Sequence, residues 1–376
     1  MEKKSILSLF KDLTGKKGYP MKKRSSLLVN YPDNPDSLYN YSGAHVHLVP
    51  ALLNKKPVKK DKIAIIDQCL READGNIIGT SPSHLLEFTM GVFGGYGRIL
   101  NRGKEKEFHY KNMLVFLDAC GIDRDELVFS ICAGGKFLNQ EIEADKESFE
   151  ILNSLGVKPE HISERKGQTN FMLGQGMVTQ GMSRPSGCIV EVYKKHKGEL
   201  IEIASSNIYE YLGKEGKLNK TVNKAVGIGV GMERLDYVTQ NLDSVYNLAF
   251  YENMKEGISK LLGMNDLTTL MCLDKIYKLS ELGKSITIAV NDGQEFNNTK
   301  RGKILKGYLA KMVSELVYLR IDHEKFLEIL KSEIANKYAD PLYGVEVNDK
   351  AYDVLRDTLK TKIDDNPKYK NHCMEV

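Results

Sequence analysis

The sequence predicts an α+β protein in which an antiparallel β-sheet is flanked by helices and followed by a helical C-terminal domain. Residues 189–193 and 200–204 are two apolar, β-branched runs joined by a Lys-rich turn ending at Gly198, a pattern typical of an antiparallel strand pair. After Leu235 the strand patterning stops, and apolar pairs between residues 304 and 317 recur at helical spacing. We therefore expect an N-terminal arm at residues 1–35, a sheet domain at 36–250 and a helical domain at 251–376.

Composition supports a globular, cytoplasmic protein. The 376 residues are 41% hydrophobic, enough for one large core or two ordinary ones. No apolar run approaches the roughly 20 residues that span a bilayer, and the start lacks the apolar segment of a secretion signal. Six scattered cysteines without a Cys-x-x-Cys pair predict free thiols, and a net charge of +4 does not by itself indicate a nucleic-acid partner.

The N-terminal half predicts an arm, a hairpin and a packed helix. Residues 1–35 carry basic runs and are expected to form a solvated, loosely ordered arm. Residues 62–67 form a β-branched strand leading into Arg71, and a turn at 74–76 precedes a second strand at 85–90. This hairpin would place Arg71 and Phe88 on facing strands. Residues 108–120 have the spacing of a helix packed on the sheet, and 141–155 predict another helix.

Two acidic residues lie inside apolar strands. Glu191 and Glu202 would be costly to bury unless each is paired or holds a cation. Mg²⁺ prefers oxygen ligands, so both are candidate metal ligands, with a structural hydrogen bond as the alternative for either.

A glycine run marks a candidate platform for a flat ligand. Gly227, Gly229 and Gly231 alternate along one strand and leave one of its faces without side chains, although close backbone packing would also explain them. The adjoining Arg234 can stack on a ring or bind a phosphate through two hydrogen bonds. A group that is flat and polyanionic, such as ATP, suits both features.

An earlier segment supplies complementary groups. Arg71 offers a cation for an inner phosphate, His84 a donor for an outer phosphate, Glu87 an acceptor for an exocyclic amine, and Phe88 an aromatic face for a purine. A lone histidine beside an apolar run is more often a core or surface residue, which is the alternative for His84. Together the two segments predict a nucleotide site.

These segments resemble a known family. Arg71-Glu72 followed by His84-x-x-Glu87-Phe88 resembles motif 2 of class II aminoacyl-tRNA synthetases, and the glycine run ending in Glu233-Arg234 resembles motif 3. The resemblance is strongest to the alanyl-tRNA synthetases, especially to their archaeal form. Weaker matches continue the resemblance, in family order, over residues 35–325; they lie at 43–50, 187–192, 233–246 and 291–305.

The resemblance implies a chemistry and a set of roles. An amino acid, alanine or another small one, would be activated by ATP and Mg²⁺ as an aminoacyl adenylate and passed to an acceptor, tRNA first of all. The implied ATP site has Arg71 at the α-phosphate, Arg234 at the γ-phosphate and adenine face, His84 at the outer phosphates, Phe88 stacked on adenine and Glu87 at its amine, completed by Glu72, Gly229 and Gly231. The implied amino-acid site comprises Met172, Ser205, Gly227 and Gly229, and the implied tRNA contacts are Asn298, Arg301 and Lys303.

Departures from the family leave three hypotheses open. Gly227 stands where alanyl-tRNA synthetases have the aspartate that holds the substrate ammonium, and the chain has no tryptophan for their pocket, where Met172 lies nearby. These losses predict an enlarged, neutral pocket. The chain also stops before the family's editing region. The hypotheses are a compact tRNA ligase, a paralogue that charges a carrier protein, peptide or small molecule, and a non-catalytic regulatory module.

Overall fold

The computed structural model describes residues 5–29, 39, 49–54, 62–72, 75–80, 84–94, 101–173 and 183–365. Within these ranges the strands are β1 Met21–Lys22, β2 Lys62–Leu70, β3 Leu86–Gly94, β4 Leu127–Cys132, β5 Gly135–Phe137, β6 Gln140–Ile142, β7 Ile162–Arg165, β8 Phe171–Met172, β9 Arg184–His196, β10 Glu199–Lys214 and β11 Lys217–Gly231. The helices are α1 Ile6–Lys16, α2 Val49–Leu53, α3 Arg102–Ala119, α4 Lys146–Ser154, α5 Met232–Thr239, α6 Ala249–Leu261, α7 Asp266–Met271, α8 Leu273–Asn291, α9 Lys300–Leu319, α10 His323–Lys337 and α11 Asp349–Asp364.

The main sheet has the order β1-β2-β3-β11-β10-β9-β4-β7, with β8 pairing onto β9. The inner pairs are antiparallel, whereas β1 with β2 and β4 with β7 are parallel pairs at the two edges. The β9–β10 hairpin closes through Lys197 and Gly198, both at positive φ (48° and 89°), as a tight two-residue hairpin turn requires. The predicted α+β fold with an antiparallel sheet is confirmed.

The two faces of the sheet differ in character. Ile228 and Val230 of β11 join the main apolar core with the helices, whereas the alternate residues Gly227, Gly229 and Gly231 point to the opposite face. The predicted helix at 108–120 corresponds to α3, whose inner side buries an apolar row. The stretch 141–155 instead divides into the short strand β6 and helix α4.

The described N-terminal residues are not a solvated arm. Leu7 and Phe10 of α1 are buried, and the Phe10 ring meets Phe116 edge-on at 6.0 Å. Further on, Arg24 binds Asp292 through two hydrogen bonds of 2.7 and 3.1 Å, with only 9% and 5% of the two side chains exposed. The apolar face of α1 and this buried ion pair fix residues 5–29 against the body of the protein, because together they outweigh the basic composition that suggested an arm.

The C-terminal helices pack directly against the sheet region. Helix α8 is almost entirely buried, and Gly283 lets the side chains of Phe326 and Leu330 approach to 3.0 Å from the position that a Cβ would take. In the ranges that the structure describes, no helix is long and apolar enough to cross a membrane. The predicted change from strands to helices after Leu235 is confirmed.

Candidate nucleotide-binding site

The floor of the candidate site consists of small residues on three neighbouring strands. Gly229 of β11 pairs with Ser205 of β10 on one side and with Gly91 of β3 on the other. Ser205 in turn pairs with Glu191 of β9. Directly opposed residues share a face of the sheet, so Gly91, Gly229 and Ser205 form a row of small residues that ends at a carboxylate.

One end of this floor carries an arginine–glutamate–arginine group. Arg234 donates to Glu87 Oε1 from Nε at 2.8 Å and from Nη2 at 2.7 Å, and Arg71 Nη1 donates to Oε2 at 3.0 Å. A Cβ on Gly231 would lie 2.3 Å from Glu87 Oε1 and 3.0 Å from Arg234 Nε. The last glycine of the run therefore makes room for this group.

Charge explains why Glu87 stays ionised in the interior. Burial by itself would raise its pKa, but the charges of Arg234 and Arg71 outweigh that effect and lower the pKa to about 2. The side chain of Arg71 is 37% exposed and that of Arg234 is 14% exposed. Glu87 thus orients two guanidinium groups, of which that of Arg71 is the more exposed.

The charged group continues across the sheet toward a second pair of carboxylates. Arg234 Nη1 donates to Glu202 Oε2 at 3.0 Å. Beyond it, Glu191 accepts from the Tyr193 hydroxyl at 2.5 Å and from Ser130 Oγ at 3.2 Å. Burial raises the pKa of Glu191, and the charge of Glu202 raises it further. Glu202 is opposed to Tyr193 in the β9–β10 ladder, and Glu191 lies two residues from Tyr193, so the two predicted metal ligands lie on neighbouring parts of the same face.

Phe88 lies on the wrong face for adenine. Its side chain is fully buried, and its ring contacts Tyr338 and Tyr343 at centroid distances of 5.1 and 5.2 Å. Successive residues of a strand point to opposite faces, so Phe88 and Glu87 cannot both face the glycine floor. The prediction that Phe88 stacks on adenine is wrong.

His84 and Glu72 are also positioned differently from the prediction. His84 is 1% exposed, and its Nε2 lies 4.0 Å from Glu233 Oε2, so the predicted contact with outer phosphates is not supported. Glu72 accepts a hydrogen bond from the Tyr39 backbone N–H at 3.4 Å, and burial raises the pKa of Glu72. Both residues help to join structural elements next to the site.

Two helix-borne glutamates hold the strand that carries Glu87. The β11–β3 ladder reaches only Thr89, which leaves the N–H groups that precede it on β3 without a strand partner on that side. Glu281 of α8 accepts from the Leu85 and Leu86 N–H groups at 2.8 and 2.7 Å, and Glu233 of α5 accepts from the Phe88 N–H at 3.0 Å. The two carboxylates therefore accept from backbone N–H groups at and just before the start of β3.

Sequence reasoning missed Glu281. The side chains of Glu281 and Lys284 are fully buried, and their charged groups lie 2.7 Å apart. The available signal was a Glu and a Lys three residues apart in the run 279–290, which has no other charged residue, but this signal did not reveal which backbone groups the carboxylate binds.

The space beside Gly227 is filled and not enlarged. A Cβ on Gly227 would lie 1.7 Å from the Phe93 ring. Phe93 is 2% exposed and packs with Tyr209 and Ile65, while Met172 borders the same cluster. The expectation of a larger pocket is therefore wrong, because an aromatic ring from β3 occupies the volume that the missing side chain vacates.

This packing makes a prediction about Gly227. We expect Gly227→Asp to lower the free energy of unfolding by about 1–3 kcal/mol or more, since it forces a side chain into the Phe93 ring. In a Phe93→Ala background the same substitution should lower the free energy of unfolding much less, because the Phe93 ring is absent. Urea denaturation of the four proteins measures the coupling. If Gly227→Asp lowers the free energy of unfolding equally in the two backgrounds, Phe93 does not fill this space.

The predicted tRNA contacts divide into two groups. Asn298 and Lys303 are exposed at the start of α9, and Asn298 Oδ1 accepts from Lys306 Nζ at 2.9 Å. Arg301 is only 9% exposed, and its Nη1 donates to the Val29 carbonyl at 3.3 Å. Arg301 therefore joins α9 to the N-terminal segment and does not belong to an exposed basic face.

The fold and the site together define an α+β protein. Its sheet carries a row of small residues with two arginines at one end. The family model for tRNA synthetases class II (A) matches residues 5–356, and the chain belongs to this family.

Relatives with curated names agree with this family assignment. The chain is 22% identical over 355 residues to an alanine–tRNA ligase of Thermotoga maritima, covering 90% of this chain and 38% of the relative. It is 24% identical over 360 residues to alanine–tRNA ligase 1 of Lachnoclostridium phytofermentans, covering 88% and 37%. The chain thus spans less than two-fifths of the length of these relatives.

A comparison of solved structures matches an ATP phosphoribosyltransferase regulatory subunit/histidyl-tRNA synthetase from Bacillus halodurans C. The sequence identity is 12%, the match covers 64% of this chain and 78% of that chain, and the TM-score is 0.38.

Proposed function

We propose that the protein activates an amino acid with ATP as an aminoacyl adenylate and transfers it to an acceptor, with tRNA as the first candidate. The observation that carries this proposal is the Arg71–Glu87–Arg234 group beside the small-residue floor in a member of the class II synthetase family. Two oriented guanidinium groups next to a surface without side chains suit a ligand that is flat at one end and polyanionic at the other.

The reaction requires the protein to position the substrates and to neutralise charge. The substrate carboxylate attacks the α-phosphate in line and pyrophosphate leaves, so no general base is required. Arg71, the more exposed of the two arginines, is assigned to the α-phosphate. Arg234, held by Glu87 and Glu202, is assigned to the γ-phosphate and the adenine face. Glu87 orients both arginines in place of the predicted contact with the adenine amine.

Glu191 and Glu202 fit a magnesium ion bound together with the triphosphate. Mg²⁺ commonly takes one or two carboxylates and completes its shell with phosphate oxygens and water. The mutual effect of the two carboxylates on the pKa of Glu191 is the repulsion that a cation would relieve. Among the residues that the structure describes, no group of three His, Cys, Asp or Glu side chains forms a self-contained metal site. When bound, the ion supplies charge neutralisation on the phosphates.

The amino-acid subsite lies toward Gly227 and Ser205. Ser205 Oγ lies 3.4 Å from Asn207 Nδ2, and Phe93 and Met172 form the apolar side. Because Phe93 occupies the place of the family's ammonium-binding carboxylate, a substrate other than alanine is a second candidate. The same observation favours the alternative in which the acceptor is a carrier protein, a peptide or a small molecule. The intact arginine pair argues against a purely regulatory module.

Amino-acid-dependent ATP–pyrophosphate exchange tests the proposal. The protein is assayed without tRNA against the standard amino acids, β-alanine and other small analogues. Exchange with at least one of them is expected, and transfer to tRNA is then measured with that substrate. Exchange without transfer to any tRNA would favour the carrier alternative. No exchange across the whole set would contradict amino-acid activation.

A further inference from the structure

The carboxylate of Glu191 closes the floor on the side of β9. Glu191 is directly opposed to Ser205, so the two side chains are neighbours on the face that carries Gly229. The side chain of Glu191 is only 15% exposed. Because Ser205 borders the proposed amino-acid subsite, Glu191 is an acidic residue next to that subsite.

Two hydroxyl groups bind the same oxygen of this carboxylate. The Tyr193 hydroxyl donates to Glu191 Oε2 at 2.5 Å, and it accepts from Arg165 Nη1 at 3.0 Å. Ser130 Oγ donates to the same Oε2 at 3.2 Å, and it accepts from Asn170 Nδ2 at 3.0 Å. Because each hydroxyl already accepts from a nitrogen, its own proton is directed to the carboxylate. Two chains of hydrogen bonds therefore fix the orientation of Glu191.

The other oxygen of Glu191 has no such donor. Among the residues that the structure describes, none donates a hydrogen bond to Oε1, and this atom is not fully buried. The described cation nearest to the carboxylate, Arg165, keeps its Nη1 4.0 Å from Oε2. A largely buried carboxylate that is bound only by neutral hydroxyl groups is costly without a countercharge. Oε1 is therefore available to a positively charged group of a ligand.

We propose that Glu191 Oε1 accepts a hydrogen bond from the ammonium group of the substrate amino acid. This inference rests on the proposed function, because it assigns the residue that recognises one end of the substrate. An ammonium group is costly to bury unless a carboxylate faces it, and neither Gly227 nor the Phe93 ring that fills the space beside it provides one. A charge-assisted hydrogen bond to a carboxylate that is already oriented meets this requirement.

The in-line reaction is consistent with this placement. The attacking carboxylate and the leaving pyrophosphate lie on opposite sides of the α-phosphorus. Arg234 is assigned to the γ-phosphate and donates to Glu202 at 3.0 Å, so both belong to the pyrophosphate side. Glu191 lies beside Ser205, on the amino-acid side. Under this assignment magnesium keeps Glu202 and completes its shell with phosphate oxygens and water, since one carboxylate is enough for this ion.

Exchange kinetics of Glu191→Gln test the inference. The KM for the amino acid that the wild type activates should rise about 10–100-fold, the usual effect of losing a hydrogen bond to a charged group. The magnesium concentration that gives half the maximal rate should stay the same. Glu191→Asp keeps the charge and should lose less. An unchanged KM for the amino acid overturns the inference, and a higher magnesium requirement in its place would show that Glu191 serves the metal.

A matched control is available on the edge strand β7. Glu164 is exposed, and it follows Ser163, which shares the floor face through its pairing with Ser130, so Glu164 points to the opposite face. Glu164→Gln removes one carboxylate from the same sheet and should keep the wild-type KM for the amino acid. A rise in this control equal to that in Glu191→Gln would show a general effect of charge and would overturn the inference.

An analogue without the ammonium group provides the second measurement. Calorimetry without ATP compares the amino acid with the analogue in which a hydroxyl replaces its ammonium group. Glu191→Gln should weaken binding of the amino acid and leave binding of the analogue unchanged, whereas equal weakening of both overturns the inference. If no amino acid supports exchange, alanine and lactate are titrated instead. Alanine binding that depends on Glu191 then keeps the ammonium subsite while amino-acid activation fails, and no alanine binding by the folded wild type overturns the inference.

Discussion

Replacing Arg234 by glutamine is expected to reduce amino-acid-dependent ATP–pyrophosphate exchange by about 10²–10³-fold, the usual loss when one preorganised donor to a developing charge is removed. Arg234 donates to Glu87 through two nitrogens and to Glu202 through a third, so its guanidinium is fixed before any ligand arrives. Arg234→Lys retains the charge but cannot reproduce three directed hydrogen bonds, and it should also lose more than tenfold. Steady-state exchange rates measure both effects.

A matched control separates this effect from general damage. Arg356 also pairs with two carboxylates, Glu324 and Asp353, but on the surface of the C-terminal helices. Arg356→Gln should retain wild-type exchange. Thermal unfolding of Arg234→Gln shows whether the protein is folded under the assay conditions. If Arg234→Gln is folded and retains wild-type exchange, Arg234 does not act in the proposed ATP site.

Local patterns in the sequence were sufficient to predict the sheet. Two β-branched runs around a Lys-Gly turn predicted the β9–β10 hairpin, and the glycine run predicted a strand face without side chains. These features depend on residues close in sequence, because alternation and turn chemistry act over a few positions. The family resemblance supplied the order of the segments and the expected chemistry.

Predictions that depended on distant neighbours were less successful. Glu87 and Phe88 were both assigned to one ligand, although strand alternation sends them to opposite faces. Gly227 predicted an enlarged pocket, because the ring that fills the space, Phe93, lies on another strand. The floor itself needed the register that brings Gly91 and Ser205 beside Gly229. The face that each side chain occupies follows from long-range pairing, which no local pattern encodes.

The same limit applies to the helices. The resemblance alone assigns residues 291–305 to tRNA recognition. In the structure Asp292 binds Arg24, and Arg301 binds the Val29 carbonyl, so part of this region holds the N-terminal segment in place. Asn298 and Lys303 are exposed, and their contact with tRNA stays a prediction. The residues predicted to contact tRNA therefore adjoin a structural contact near the start of α9.

Glu281 is expected to be the side chain whose loss costs the most stability. We expect Glu281→Ala to lower the free energy of unfolding by about 3–5 kcal/mol, because it breaks a buried ion pair and leaves one charge uncompensated. Besides Lys284 at 2.7 Å, the carboxylate binds two backbone N–H groups and the Tyr251 hydroxyl. Chemical denaturation measures the loss, and Glu328→Ala, on the exposed side of α10, serves as the control.

A double variant and the pH dependence show whether the charge is responsible. Burial alone would raise the pKa of Glu281, but Lys284 and the other partners outweigh it and lower the pKa below its ordinary 4.5. The folded state therefore binds the proton more weakly than the unfolded state, so the contribution of Glu281 is present above about pH 4.5 and is lost as the pH falls through the lower folded pKa. In Glu281→Ala the free energy of unfolding should therefore depend less on pH in this acidic range than it does in the wild type. In Glu281→Ala/Lys284→Met the lone buried cation is gone, and the double variant should be more stable than Glu281→Ala. If Lys284→Met instead lowers the free energy of unfolding by the same amount with and without Glu281, then Glu281 stabilises the protein through its hydrogen bonds to the Leu85 and Leu86 N–H groups and not through its pairing with Lys284.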